Sequence, residues 1–170
     1  MGVCNVKKNN KKIATQNKTV AVEENLSQNC DKLGWKFMVY ISPTGSTALQ
    51  KQIDEIDEVV IQKFKTRVRY LSNTFKRDWN RPHARKLKGA TDIYEIRFEA
   101  NGVQQRPIGF FGLLSNDFTI LIWATHKQDI YDPAEAIETA SKRRDFLKKG
   151  TASNSPLQID GEKFPCSEES

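Results

Sequence analysis

Nowhere in these 170 residues do apolar side chains run long enough to cross a bilayer, which takes about 20 in succession. The most apolar stretch, Phe118–Ala124, is strand-sized. The first residues are rich in Lys and Asn and lack the apolar core of a secretory signal, so a cytoplasmic chain free of membrane is expected. Cysteine is scarce too: Cys4, Cys30 and Cys166, an odd number, all near the ends. That count argues against a disulfide framework. No second ligand stands at metal spacing, so neither metal nor cofactor is expected. A glycine-rich phosphate loop, a dinucleotide fingerprint and a nucleophile elbow are also missing. Any chemistry falls to ordinary side chains.

What the chain does have is positive charge, +6 overall, unevenly spread. Residues 35–149 carry 20 Lys and Arg against 14 Asp and Glu. Residues 1–34 carry 6 against 3 and residues 150–170 carry 1 against 4, so the two ends cancel. The surplus belongs to the middle, where it makes a surface that attracts phosphates. Residues 1–34 are dominated by Asn, Lys, Gln and Thr, with no sustained apolar period. They read as a disordered or weakly structured extension with a short helix near Val20–Leu26. Residues 150–170 open on Gly150 and continue with Ser, Pro, Glu and Gly, the composition of a flexible C-terminal tail.

Between them, residues 35–149 show regular patterns expected of one domain. Trp35–Ser42 (WKFMVYIS) reads as a strand. Pro43, Thr44 and Gly45 turn the chain, and Thr47 with Gln50 fits a capping box. Leu49, Ile53 and Ile56, then Val60, Phe64, Val68 and Leu71, fall at helical spacing. They predict two helices, or one broken near Asp57. Residues 72–92 read as a polar connection. Ile93–Phe98 alternates, with Tyr94, Ile96 and Phe98 on one side and Glu95 and Arg97 on the other. Asn101-Gly102 is a hairpin signal, because both turn positions need positive φ. Val103–Leu114 is the returning strand, although Pro107 cannot donate to a ladder. Ser115–Asp117 turns again, and Phe118–Thr125 reads as a central strand covered on both faces. Asp132 at N-cap, Pro133 at N1 and Glu135 at N3 open a last helix that stops at Gly150. The expected class is α+β: a small, mostly antiparallel sheet in the order β-α-α-β-β-β-α, with the helices packed on one face. The other face is then open, with Glu95 and Arg97 projecting from it.

The order of these words resembles the RelE/ParE toxin superfamily, and within it the phage-derived HigB-type branch. The resemblance covers residues 35–149. It rests on the opening strand and turn (WKFMVYISPTGS), a Lys-rich loop ending in Leu and Gly (ARKLKG, Ala84–Gly89), and a Tyr-Glu-hydrophobic-Arg strand (Tyr94–Arg97). It continues with an Arg heading an aliphatic-aromatic run after a Gly hairpin (Arg106–Phe111), a basic pair closing the last strand (His126-Lys127), and a final helix opening on Pro133. The chain departs from the family at Pro107, where relatives usually carry a residue able to pair, at His126-Lys127-Gln128, where many have two adjacent lysines, and in its long N-terminal extension. The resemblance implies the toxin of a type II toxin–antitoxin system, a ribosome-dependent mRNA endoribonuclease. It implies a cognate antitoxin, expected to be a helix-turn-helix protein, as partner beside ribosome and mRNA. Two other readings stay open: a ParE-like toxin that inhibits gyrase without catalysis, and a non-catalytic RNA-binding relative.

Such cleavage uses the RNA's own 2′-hydroxyl on the adjacent phosphate, so the protein must supply cations around the phosphate and move protons. Arginine suits the first task because its planar fork stays charged. Arg97 and Arg106 are the phosphate candidates: with a two-residue turn Ala100 pairs with Val103, and Arg97 with Arg106. Two cations directly opposite repel, and an anionic ligand would explain them. The plainer alternative is that Glu95 or Glu99 neutralises them as surface ion pairs. His126 is the candidate acid or base, with Lys127 beside it. Tyr131, Lys86 and Lys88 are candidate RNA contacts, against a capping tyrosine and a solvated basic loop; His83 ranks below them. Arg143 and Arg144 read as the solvated face of the last helix or an antitoxin contact.

Overall fold

Alternating burial over Lys36–Ile41 opens the fold as strand β1, with Phe37, Val39 and Tyr40 buried. The computed structural model describes residues 34–112 and 116–164. The expected N-terminal extension and its helix near Val20–Leu26, Ser115 of the expected turn, and all three cysteines lie outside them.

Helices α1 (Ala48–Asp54) and α2 (Glu58–Ser72) follow, broken as the period predicted. The Asp57 carboxylate accepts from the Val59 amide at 2.9 Å and restarts the helix. Leu49 and Ile53 of α1 are buried, as are Val60, Phe64, Val68 and Leu71 of α2. The capping box does not form. Thr47 makes no side-chain cap, and the Gln50 amide donates instead to Asp54 and to the Gln158 carbonyl. The C-terminal segment competes for that side chain and wins.

Residues 72–92 hold more than a connection. A 3-10 turn at Lys76–Asp78 delivers Trp79 to the core, where its ring stacks on Phe37, centroids 6.0 Å apart. Strand β2 (Ala84–Lys86) follows. Then come β3 (Ile93–Ile96), β4 (Phe98–Ala100), β5 (Val103–Phe111), β6 (Asp117–Lys127) and β7 (Ile130–Asp132). Helix α3 (Ala136–Lys148) and strands β8 (Ser153–Pro156), β9 (Gln158–Ile159) and β10 (Glu162–Lys163) complete the described chain.

The main sheet runs β2-β3-β5-β6-β1-β8, with β4 also on β5 and β7 also on β6; β9 and β10 form a separate hairpin. Its pairs are antiparallel except β1 with β6, which is parallel. The sheet is therefore mostly antiparallel and the class α+β. Asn101 and Gly102 turn between β4 and β5 at φ 52° and 71°, with Ala100 opposite Val103. Gly109 is required by close approach: a Cβ there would collide with the Thr119 carbonyl and the Phe118 ring. Pro107 falls where the ladder from β5 to β3 and β4 is interrupted, a break that suits a residue with no N–H.

The helices do not share one face. On β5, Gln105 accepts from the Trp123 indole, and Trp123 packs on Phe64 of α2. Arg106, Ile108 and Phe110 therefore point the opposite way. Phe110 pairs with Thr119, Thr119 with Met38, and Tyr40 lies on the same side as Met38. Arg143 of α3 lies over the Tyr40 ring at 5.1 Å. So α2 covers one face and α3 the other. A bulge in β6 leaves Leu121 out of the ladder, and its carbonyl accepts from Arg143 at 2.6 Å.

Two boundaries also move. Asp132 and Pro133 do not open α3, because pairing of Asp132 with Thr125 holds it in β7; the helix begins at Ala136. Gly150 closes it as expected, at φ 70°. The expected flexible tail is folded as far as residue 164: β8 pairs with β1, and Leu157, Ile159 and Phe164 are buried. Among the described residues no helix is long and apolar enough to cross a membrane.

Candidate functional site

Pairing sets the site. Glu95 of β3 lies opposite Arg85 of β2 and Ile108 of β5, and residues opposite one another share a face. Arg106 precedes Ile108 by two, so it joins that face, and Arg97 follows Glu95 by two. Four side chains converge on the Glu95 carboxylate. Arg85 Nε lies 2.9 Å from Oε1, and Arg97 Nη1 donates to the same oxygen. Tyr131 Oη donates to Oε2, and Arg106 Nε lies 3.8 Å from it. Glu95 is completely buried. Three guanidiniums thus share one carboxylate directly, an excess of positive charge on one face of the sheet.

They differ in access. The Arg85 and Arg97 side chains are 36% and 20% exposed, that of Arg106 only 3%. Both terminal nitrogens of Arg106 are engaged: Nη1 donates to the Gln105 carbonyl at 2.7 Å, and Nη2 to Gln104 Oε1 at 2.9 Å. Gln104 in turn donates to Glu99 at 2.7 Å, which ties in a second, exposed carboxylate. Burial, then the neighbouring Arg97 charge, pulls the Arg106 pKa below its ordinary value, while Glu95 opposes the shift. The group stays charged, as guanidiniums in proteins do.

The β6–β7 hairpin brings the remaining groups. Gln128 and Asp129 turn it with φ 50° and 64°, pairing Lys127 with Ile130 and His126 with Tyr131. The His126 and Tyr131 rings meet edge to face, centroids 4.8 Å apart. Burial, reinforced by the hydrogen bond and charge of Glu95, pushes the Tyr131 pKa up to about 12. Its hydroxyl therefore stays protonated at neutral pH and keeps its bond to Glu95.

The structure gathers Arg97, Arg106, His126 and Tyr131 into one neighbourhood. It does not bring in Lys86, which lies opposite Tyr94 on the other face and 3.9 Å from Asp92, nor Lys88 and Lys127, which stand exposed. The expectation that Glu95 and Arg97 project from an open face is overturned, because Tyr131 and the arginines cover Glu95. Arg106 is not an exposed phosphate contact. Arg97 and Arg106 are opposite in register, but Arg97 leaves the ladder to bond the His83 carbonyl at 2.9 Å. Glu95 neutralises both, as the plainer alternative held, in a buried rather than a surface pairing. Arg143 and Arg144 are not a solvated face either. Arg143 serves the bulge, and Arg144, 11% exposed, bonds the Thr91 carbonyl and Asp145.

Sequence reasoning weighed Glu95 only as a surface counter-ion and passed over Arg85, yet both are central. The signal was present: Glu95 stands two residues before Arg97, hence on its face, as the one acid of YEIR. Arg85 lies in the basic loop whose lysines drew notice instead. Among the described residues no group of three or more His, Cys, Asp or Glu is placed to hold a metal. No family model matches the chain, and no curated protein or solved structure matches it either.

Proposed function

We propose that this chain is the toxin of a type II toxin–antitoxin pair, similar to the HigB-type branch of the RelE/ParE superfamily, and that it cuts mRNA on the ribosome. The observation that carries the reading is the convergence of Arg85, Arg97 and Arg106 on Glu95, with Tyr131 and His126 alongside. Isolated from a ligand, three guanidiniums on one carboxylate leave a net positive site. A phosphate completes its charge balance.

In this reading Arg85 and Arg97, the accessible members, bind the scissile phosphate. Arg106 is a positioning residue: held by Gln104 and Gln105, it fixes Glu95 and adds to the field. The 2′-oxygen attacks phosphorus, forming one P–O bond as the bond to the 5′-oxygen breaks. His126 accepts the proton of the 2′-hydroxyl, the departing 5′-oxygen takes one from solvent, and Tyr131 keeps its single proton on Glu95, holding the carboxylate between the arginines. The reaction needs no redox partner. An acidic antitoxin segment would neutralise the chain by covering the same cations.

Cleavage by purified ribosomes loaded with mRNA tests the reading. Replacing Arg97 or Arg85 by Ala should slow cleavage by roughly a hundredfold, the usual loss for one transition-state charge contact. Parent-like rates in both variants, with melting unchanged, would sink it. One observation favours the binding-only alternative, a ParE-like gyrase inhibitor or RNA-binding relative: both terminal nitrogens of Arg106 are already satisfied by protein. Induced expression separates the two, through truncated mRNA in one case and DNA damage in the other.

A further inference from the structure

Beside β4, at the edge of the sheet, two adjoining open clefts of about 420 and 460 Å³ share Arg67, Phe98 and Glu99 in their walls. Lys63, Arg67 and Tyr70 come from α2, and Arg81 and His83 from the loop leading to β2. Arg97 and Gln104 of the Glu95 cluster close the first cleft from the strand side, whereas the α2 side has no part in the cleavage reading.

Three observations single it out. The first is charge. Among the described residues Lys63, Arg67 and Arg81 make no ion pair, and the one carboxylate in the walls, Glu99, accepts from Gln104. Second, of the four buried side-chain nitrogens that make no hydrogen bond among the described residues, two, Arg67 Nε and His83 Nδ1, belong to residues lining the clefts, while the other two, on Arg85 and Arg106, face Glu95. Half-burial of Arg67 without a counter-ion lowers its pKa, a cation waiting for an anion. Third, an aromatic platform adjoins the cations: the Tyr70 ring is half exposed and lies 4.4 Å from the His83 ring. A planar ring beside a phosphate is the chemistry that meets all three at once, because bases stack on aromatic faces and phosphates take guanidinium forks.

We propose that these clefts form a nucleoside-phosphate site, with the phosphate on Arg67, flanked by Lys63 and Arg81, and the base against Tyr70 and His83. The ligand is either a free nucleotide or one residue of an RNA strand. The site adjoins the Glu95 cluster, whose Arg97 and Gln104 line the first cleft, but its phosphate contact is Arg67 and it does not depend on cleavage.

Calorimetric titration of the full chain with inorganic phosphate, AMP and a short single-stranded RNA tests it. The parent should bind AMP roughly tenfold more tightly than phosphate, the usual yield of one stacked base. Arg67→Met, which keeps an apolar stem, should weaken all three ligands by about tenfold or more. Tyr70→Leu should weaken AMP and RNA but leave phosphate unchanged. RNA binding well above AMP, and equally sensitive to Tyr70→Leu, identifies a strand; AMP binding equal to RNA identifies a free nucleotide. Should Arg67→Met fail to fold, Lys63→Ala on the exposed side of α2 carries the same expectation at smaller amplitude. The proposal is overturned if the parent binds none of the three, or if the folded charge variant binds all of them like the parent. No ribosome is present, so neither result bears on the nuclease reading.

Discussion

Arg106 changes meaning between sequence and structure. From the hairpin register alone it is a free cation on an open face, and its removal should leave melting untouched. In the fold it is 3% exposed and shares Glu95 with two other arginines. Glu95→Gln would leave three guanidiniums close together with no direct countercharge. It should lower the unfolding free energy by about 3 kcal/mol or more. Arg106→Ala should also destabilise, by vacating a buried volume and releasing Gln104. Because the two residues act through one network, the double variant should lose clearly less than the sum, measured by urea unfolding. Full additivity would mean the carboxylate and the arginine are not coupled. Tyr131 gives a pH signature. Its folded pKa, about 12, lies above the ordinary 10.0, so the native state favours the protonated phenol. The stabilisation is complete below pH 10 and lost as pH rises towards 12. Tyr131→Phe removes the bond to Glu95, at a cost of about 2 kcal/mol near neutrality. The difference between parent and variant in thermal melting should then shrink across that window. A constant difference up to pH 12 would show that Tyr131 does not titrate against Glu95.

Elements were legible where local chemistry decides them. The period of Val60, Phe64, Val68 and Leu71, the Asn101-Gly102 turn and the Gly150 stop follow from spacing and φ, and each stands as read. What escaped, besides the small β9–β10 hairpin, were β2, β7 and β8, strands of three or four residues at the margins of the sheet. Their sequences (ARK, IYD, SNSP) carry no alternation, and pairing with a neighbour decides them. The candidate site suffers for the same reason. Arg97 and Arg106 were found because the Asn101-Gly102 hairpin places them, and His126 with nearby Tyr131 because they follow the last apolar strand, whereas Arg85 needed β2 to exist. β8 offers a direct test. It covers the outer edge of β1, and Leu157 behind it donates its amide to the Phe37 carbonyl at 2.9 Å. A chain ended at Gly150 should melt several degrees lower and associate through the uncovered edge. If it melts with the parent and stays monomeric in sedimentation, the segment is dispensable.

At the scale of the molecule, the expected α+β class and mostly antiparallel sheet hold, while the placement of all helices on one face does not. Composition cannot decide that. α3 has a mild apolar face, and it docks through Ala136, Ala140 and Leu147 together with Arg143, a residue that reads as surface in isolation. The parallel β1–β6 pair has a further consequence, in time rather than space. β1 is made early, yet both its neighbours come late: Lys36 pairs with Asp117, and Met38 with Pro156. While the ribosome is still adding those residues, β1 has bare ladders on both sides and its Phe37 and Val39 have no sheet to join. The hairpins from β4 to β7 need only local contacts and close first. The sheet is then finished by a strand that has waited through most of synthesis, so the nascent chain, rather than the finished protein, is where this fold is most exposed to mispairing.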